Sequence, residues 1–189
     1  MPFNISIKER MFKINNLILG NIIMFVACVI MCLAGLPKSK KATLTLQTIQ
    51  IVIAGIGNLC LESYPGGIIN FISAVRNILC QKGKLTTTAK IILGVTVTVI
   101  SLLTNNLGGF VFFPLSCFIM FLFFMNTKDP VKLKWLIIVA NILWGIHDVY
   151  VMAYTAVFFD VLGTITNLIG IYRIKKSKKD MREKEQEQM

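Results

Sequence analysis

Apolar residues occur along the chain in long runs that short polar or basic segments separate. Seven runs are recognisable, at about residues 16–36, 43–61, 66–81, 88–104, 109–126, 133–151 and 154–174. A chain that crosses lipid must satisfy its backbone hydrogen bonds internally, and apolar runs of roughly 20 residues do so as helices. The pattern therefore predicts an all-α, polytopic membrane protein with seven transmembrane helices.

Composition supports a membrane protein. The 189 residues are 55% hydrophobic and 15% charged, and the mean hydropathy is +0.70. Soluble domains are about 45–50% apolar and about 25% charged. Both values argue against a soluble enzyme and against a disordered chain.

The charged residues are mostly basic, with 20 Lys and Arg against 9 Asp and Glu. Sixteen of these cations lie on one side of a seven-helix arrangement: Lys38, Lys40, Lys41, Lys82, Lys84, Lys90, Lys128, Lys132, Lys134, Arg173, Lys175, Lys176, Lys178, Lys179, Arg182 and Lys184. Positively charged loops stay in the cytoplasm. We therefore expect the N-terminus outside and the C-terminus inside, and we take the net charge of +11 as a topology signal and not as a nucleic-acid surface.

Small and polar residues interrupt the third and seventh runs at helical spacing. In run three they are Gly66, Gly67, Asn70, Ser73, Ala74 and Asn77, and in run seven Asp160, Gly163, Thr164, Asn167 and Gly170. A shift of 94 residues superposes these two stripes. The preceding runs match at a shift of 90 if the connecting loop is four residues longer in the second copy.

This internal repeat predicts the domain organisation. We expect an N-terminal tail outside (1–15), a first three-helix bundle (16–81), a linker helix (82–107), a second, parallel three-helix bundle (108–174) and a charged cytoplasmic tail (175–189). Parallel repeats of this kind form one class of transporter, with the solute site near the midplane between the two halves.

Polar groups inside spans are costly and mark cavities or helix contacts. The candidate solute-binding residues are Asn70, Ser73, Asn77, Trp144, Asp148, Asp160, Thr164 and Asn167. Amides and hydroxyls suit a neutral, polyol-like solute, and Trp144 offers an apolar face for it. His147, Asp148 and Asp160 form a candidate proton-titratable cluster, with a simple polar helix end as the alternative. We expect Arg76 to extend to the lipid head groups.

Covalent chemistry is not indicated. A single histidine excludes a multi-His metal site, the five cysteines lie within or at the ends of apolar runs, and phosphate-binding and nucleophile motifs are missing. We expect no metal, no cofactor and no enzymatic activity. An intramembrane hydrolase would need a second catalytic group beside Asp148 or Asp160.

Several short motifs resemble one family. Trp144-Gly-Ile-His-Asp148, Asp160, Asn167 and Arg173, together with Tyr64-Pro-Gly-Gly and Ser73-Ala-Val-Arg76, resemble the YgjV family of bacterial inner-membrane proteins. Gly57, Ser73 and Gly170 depart from its pattern. The resemblance implies a location in the bacterial cytoplasmic membrane and the three-plus-one-plus-three plan of the SWEET and semiSWEET (MtN3-type) carriers.

The leading hypothesis is a multi-pass inner-membrane carrier of a small sugar- or metabolite-like solute that works by alternating access between the two bundles. The alternative is a non-transporting structural or partner-binding membrane protein whose polar stripes join helices. Expected partners are the lipid bilayer and an unidentified small polar solute, and a homo-oligomer is left open. A closed, dry core in which Asn70, Asn77 and Asn167 satisfy one another would remove the main support for a carrier.

Overall fold

The computed structural model describes residues 7–187, which form seven α-helices and no strand. The helices are α1 (Ile7–Ala34), α2 (Lys40–Cys60), α3 (Tyr64–Gln81), α4 (Thr87–Leu103), α5 (Phe112–Phe124), α6 (Pro130–Tyr150) and α7 (Tyr154–Glu187), and a 3-10 helix, Gly108–Val111, precedes α5. The all-α prediction and the seven helices are confirmed. Residues 1–6 of the predicted N-terminal tail and residues 188–189 of the charged tail lie outside the described residues.

Four segments of the described chain are long and apolar enough to cross a membrane: Lys13–Ala34, Lys40–Cys60, Pro130–Tyr150 and Tyr154–Met181. The remaining three helices span about 26–28 Å when the 3-10 helix is counted with α5, slightly less than a bilayer core. Large apolar side chains face outward on most helices, and many polar side chains are buried inside. This distribution is the reverse of that in a soluble protein, and it fits a protein in a lipid bilayer. The count of seven spans and the orientation of the termini stay predictions.

The helix boundaries repeat with a shift of 90 residues. α1 and α5 end at Ala34 and Phe124, α2 and α6 both have 21 residues, and α3 and α7 both begin at a tyrosine. The side chains of Ser39 and Asp129, which are also 90 residues apart, cap the N-termini of α2 and α6.

The turns after α2 and α6 repeat in the same register. The N–H groups of Ser63 and Ala153 each donate to a carbonyl five residues earlier at 2.9 Å. Glu62 and Met152 adopt the left-handed conformation, with φ of 59° and 58°. Both turns are thus Schellman motifs of equal length, formed without glycine at the left-handed position. The prediction of a longer second loop is wrong, and so is the 94-residue shift for the third and seventh helices, because one shift of 90 serves throughout.

Six helices contact one another in a closed order: α1 with α2, α2 with α3, α3 with α5, α5 with α6, α6 with α7, and α7 with α1. α4 packs against α3 and α5, outside this order. One apolar core, which includes Phe118, Phe121 and Leu133, fills the side of α3, α5 and α6. Nothing in these contacts tests the division into two three-helix bundles, which stays a prediction.

Candidate functional site

A small cavity of about 80 Å³ lies among α1, α2, α3, α5, α6 and α7. That volume accommodates a few water molecules. Its lining includes the polar or amphipathic side chains Gln47, Gln50, Asn58, Asn70, Ser73, Arg76, Asn141, Trp144, Asp148, Asp160 and Asn167. α4 contributes nothing to the lining, in agreement with its place outside the closed order. The polar residues that interrupt the apolar runs therefore converge on one internal site.

The 90-residue register pairs polar residues of the two copies. Asn58 corresponds to Asp148, and Asn70 corresponds to Asp160; all four line the cavity. In each pair the first copy has an amide where the second copy has a carboxylate. The cavity is thus formed from equivalent positions of both copies, and its acidic residues all come from the second.

Several of the lining side chains have buried polar atoms without a hydrogen-bond partner among the described residues. They are both amide atoms of Asn58, Oδ2 of Asp160, Oδ1 of Asn167 and Oε1 of Gln47. The Asn167 amide is oriented unambiguously, because its nitrogen donates to the Gly163 carbonyl at 2.8 Å and leaves the oxygen free. An unsatisfied buried polar group costs about 1–3 kcal/mol. Groups that carry this cost in a shared cavity indicate that water or a solute bonds them.

Arg76 is buried, with only 3% of its surface exposed, and it lines the cavity. Its Nη2 donates to Oδ1 of Asn77 at 3.0 Å, and its guanidinium carbon lies 5.0 and 4.8 Å from the ring centres of Phe118 and Phe121. No described carboxylate lies within 4 Å of it. The prediction that Arg76 extends to the lipid head groups is wrong, because α5 presents two aromatic faces that hold it inside.

A chain of hydrogen bonds joins the turn after α2 to the last turn of α6. Ser63 Oγ lies 3.0 Å from His147 Nε2, and His147 Nδ1 lies 2.8 Å from Asp148 Oδ1. An ionised Asp148 only accepts, so in that form Nδ1 donates to it, which leaves Nε2 to accept from the Ser63 hydroxyl when the ring carries one proton. Ser63 and His147 are fully buried and do not line the cavity, whereas Asp148 does. The predicted polar helix end is therefore an internal connection between the two copies.

Asn141 on α6 contacts α7. With its amide oriented to satisfy both ends, the nitrogen donates to the Ile137 carbonyl and the oxygen accepts from the Thr164 backbone N–H, each at 3.2 Å. This pair joins two helices, as polar residues in spans often do.

The structure brings together six of the eight predicted solute-binding residues: Asn70, Ser73, Trp144, Asp148, Asp160 and Asn167. Asn77 instead supports Arg76, and Thr164 lies at the α6–α7 contact. Of the predicted titratable cluster, Asp148 and Asp160 line the cavity, and His147 lies behind Asp148. Sequence reasoning missed Gln47, Gln50, Asn58 and Arg76 as lining residues. The shift of 90 that matched the second and sixth runs already set Asn58 over Asp148 and could have indicated it.

Comparison with known proteins gives a match to a protein family. A family model, Imp-YgjV, described as a bacterial inner membrane protein, matches residues 18–178. No curated protein and no solved structure matches the chain. The matched range includes every residue of the candidate site.

Proposed function

The chain belongs to the YgjV family of bacterial inner membrane proteins, and from that premise we propose that it carries a small polar solute across this membrane by alternating access. The carrier would bind its solute in the cavity and expose it to each side in turn. The proposed orientation keeps the N-terminus outside and the C-terminus in the cytoplasm, as the lysine-rich loops indicate.

The observation that carries this proposal is the cavity. Equivalent positions of two sequence copies line it, and buried side chains direct unpaired polar atoms into a membrane protein's interior. Intramembrane polar groups of this kind are expensive and mark solute or ion pathways. Asn70, Asn77 and Asn167 form no hydrogen bonds with one another in the described structure, so the mutual satisfaction that would count against a carrier is not observed.

The non-transporting alternative explains the Asn141–Thr164 contact but not the unpaired atoms. Side chains that serve only to join helices are expected to bond one another, as these two do. Oδ2 of Asp160 and Oδ1 of Asn167 have no such partner among the described residues.

An enzyme is less well supported. Ser63, His147 and Asp148 are connected in the order of an acyl-transfer triad. A nucleophile must reach its substrate, and Ser63 Oγ is fully buried outside the cavity, beside Gly66. The chain of bonds is better explained as an internal tie between the two copies.

Alternating access has a test that needs no knowledge of the solute. Cys28 on α1 is buried and lines the cavity. The other four cysteines are replaced by alanine, and a small membrane-impermeant thiol reagent is added to the medium. It should modify Cys28 in right-side-out vesicles, where it reaches the outer face of the protein, and also in inverted vesicles, where it reaches the cytoplasmic face. A cysteine at Val97, which is fully buried on α4 and outside the cavity, is the matched control and should stay protected in both.

Protection of Cys28 from both faces, like that of the control, would contradict the carrier. Modification from one face only would indicate a dead-end cleft and would contradict it as well.

A further inference from the structure

Two buried charges in the cavity have no ionic partner among the described residues. Arg76 on α3 is a cation without a carboxylate within 4 Å, and Asp160 on α7 is a carboxylate whose Oδ2 has no hydrogen-bond partner. Their side chains are 3% and 8% exposed, and both line the same cavity. They do not pair with each other, although such a pair would offset the cost of burying both.

The other buried charges near this site already have partners. Asp148 accepts a hydrogen bond from His147 at 2.8 Å. Lys134 lies outside the cavity, and its ammonium donates to the Gly35 carbonyl at the C-terminal end of α1. A cation at that end of a helix is favourable, because the last carbonyls lack helical partners. Arg76 and Asp160 are thus the pair of charges that the described structure leaves for a ligand.

The hydrogen-bonding groups are separated in the same way as the charges, with donors on α3 and acceptors on α7. The guanidinium supplies only donors. Its Nε and Nη2 donate to Asn77 Oδ1 and its Nη1 donates to the Phe118 carbonyl at 3.4 Å, so one N–H on each of Nη1 and Nη2 remains for a carboxylate. On the other side, Asp160 Oδ2 and Asn167 Oδ1 are unpaired acceptors on α7. A matching ligand therefore has an oxyanion toward α3 and N–H donors toward α7.

The two charges lie at different depths, but the side chains reduce the difference. In the 90-residue register Asp160 corresponds to Asn70, and Arg76 follows Asn70 by six residues, or about 9 Å along the helix. Side chains on a helix lean toward its N-terminus, which brings the guanidinium of Arg76 back toward the level of Asp160.

We propose that the solute is a small zwitterion of the amino-acid class, with its carboxylate bound by Arg76 and its ammonium group bound by Asp160 and the Asn167 oxygen. The neutral polyol that the sequence suggested would leave both charges unmatched in the interior. The cavity of about 80 Å³ favours the smallest members of the class. This inference rests on the proposed carrier function.

The test measures uptake of radiolabelled glycine, L-alanine and L-serine into sealed vesicles that contain the purified full-length protein. Glycerol and erythritol serve as neutral probes, and ethylamine and propionate, each of which has one of the two charges, serve as unlabelled competitors. We expect uptake of at least one zwitterion above that of empty vesicles, and competition by other zwitterions but not by ethylamine or propionate.

Arg76→Gln and Asp160→Asn should each weaken the apparent affinity for the zwitterion by about tenfold or more, since each removes one charge-assisted contact. Arg76→Lys keeps the charge without the N–H pair on Nη1 and Nη2 and should lose less. Lys134→Met removes a buried cation outside the cavity and should leave the affinity unchanged. Elution as a single species in size-exclusion chromatography shows that each variant has folded.

Uptake of glycerol or erythritol but of no zwitterion would overturn the inference and leave the carrier standing. Zwitterion uptake that neither Arg76→Gln nor Asp160→Asn alters would also overturn it. If Cys28 is modified from both faces but none of the three zwitterions is taken up, the carrier again stands and the inference fails. Protection of Cys28 from both faces would remove the proposed function, and this inference with it.

Discussion

Replacing Asp160 with leucine tests whether this carboxylate is kept for function or for stability. Leucine branches at the same carbon as aspartate, so Asp160→Leu retains the shape of the side chain and removes both oxygens. The carboxylate lies against Gly145 on α6, where an added β-carbon would stand 3.3 Å from Oδ2, and Asp160 lines the cavity. We therefore expect little steric cost.

The expected gain follows from the unpaired oxygen. A buried acceptor without a partner costs about 1–3 kcal/mol, and an aspartate at the centre of a membrane helix costs about 2.5–3.5 kcal/mol on insertion scales. We take the lower range. For chains of 150–250 residues, 1 kcal/mol shifts Tm by about 2–4 °C. Asp160→Leu should thus raise Tm by roughly 2–12 °C while solute uptake is lost, because sites kept for function are often destabilising.

The measurement is thermal unfolding of the detergent-solubilised protein, followed by circular dichroism, beside the vesicle uptake assay. Ser101→Ala is the matched control, because Ser101 Oγ is also buried and unpaired but lies on α4, outside the cavity. It should raise Tm slightly and leave uptake unchanged. If Asp160→Leu instead lowers Tm by roughly 2–12 °C, the reasoning is refuted, since the carboxylate would then have a stabilising partner.

Two further predictions concern the hydrogen-bonded chain that connects the two copies through Ser63 and His147, and the membrane topology. Gly66→Ala would place a β-carbon 2.5 Å from Ser63 Oγ and should cost about 1–3 kcal/mol of stability, measured as a lower Tm. Gly109→Ala meets nothing within 4 Å and should change Tm little, so equal effects would contradict the described contact. Cysteines at the exposed positions Lys84 and Lys179 should react with an impermeant thiol reagent from the same, cytoplasmic side, because four predicted spans separate them. Labelling from opposite sides would require an odd number of spans between these positions and would refute the seven-span topology.

The number and approximate places of the helices could be predicted because apolar runs of this length leave the backbone few alternatives in lipid. The ends were less predictable. α2 and α6 begin at Lys40 and Pro130, before the apolar residues start, because Ser39 and Asp129 cap them there. The continuation of α7 to Glu187, past the apolar run, could in contrast be predicted, since lysine, glutamate and glutamine are good helix formers and neither glycine nor proline interrupts them.

The correct shift between the two copies could not be read from residue identities alone. The 94-residue shift set Asn70 over Thr164 and Ser73 over Asn167, but the structure pairs Asn70 with Asp160, a change of charge at an equivalent position. A glycine at the end of α2 and of α6 would have shown that the two turns are equally long, and the shift of 90 would have followed. Both turns instead place a side-chain-bearing residue, Glu62 or Met152, in the left-handed conformation, so the usual signal is missing.

Arg76 and Lys134 show what hydropathy and charge counts cannot distinguish. Both are cations near the basic ends of helices, and the sequence suggests solvent or head groups for each. The structure buries both for different reasons: Lys134 bonds the carbonyl of Gly35, and Arg76 lies against Phe118 and Phe121. Arg76 is buried because its face of α3 packs against α5, and the local sequence does not indicate that contact.

Without these two cations, fifteen of the remaining eighteen still lie on the predicted cytoplasmic side. The charge asymmetry that predicts the topology is therefore preserved, and under the proposed carrier function the buried guanidinium is a group that the solute would contact.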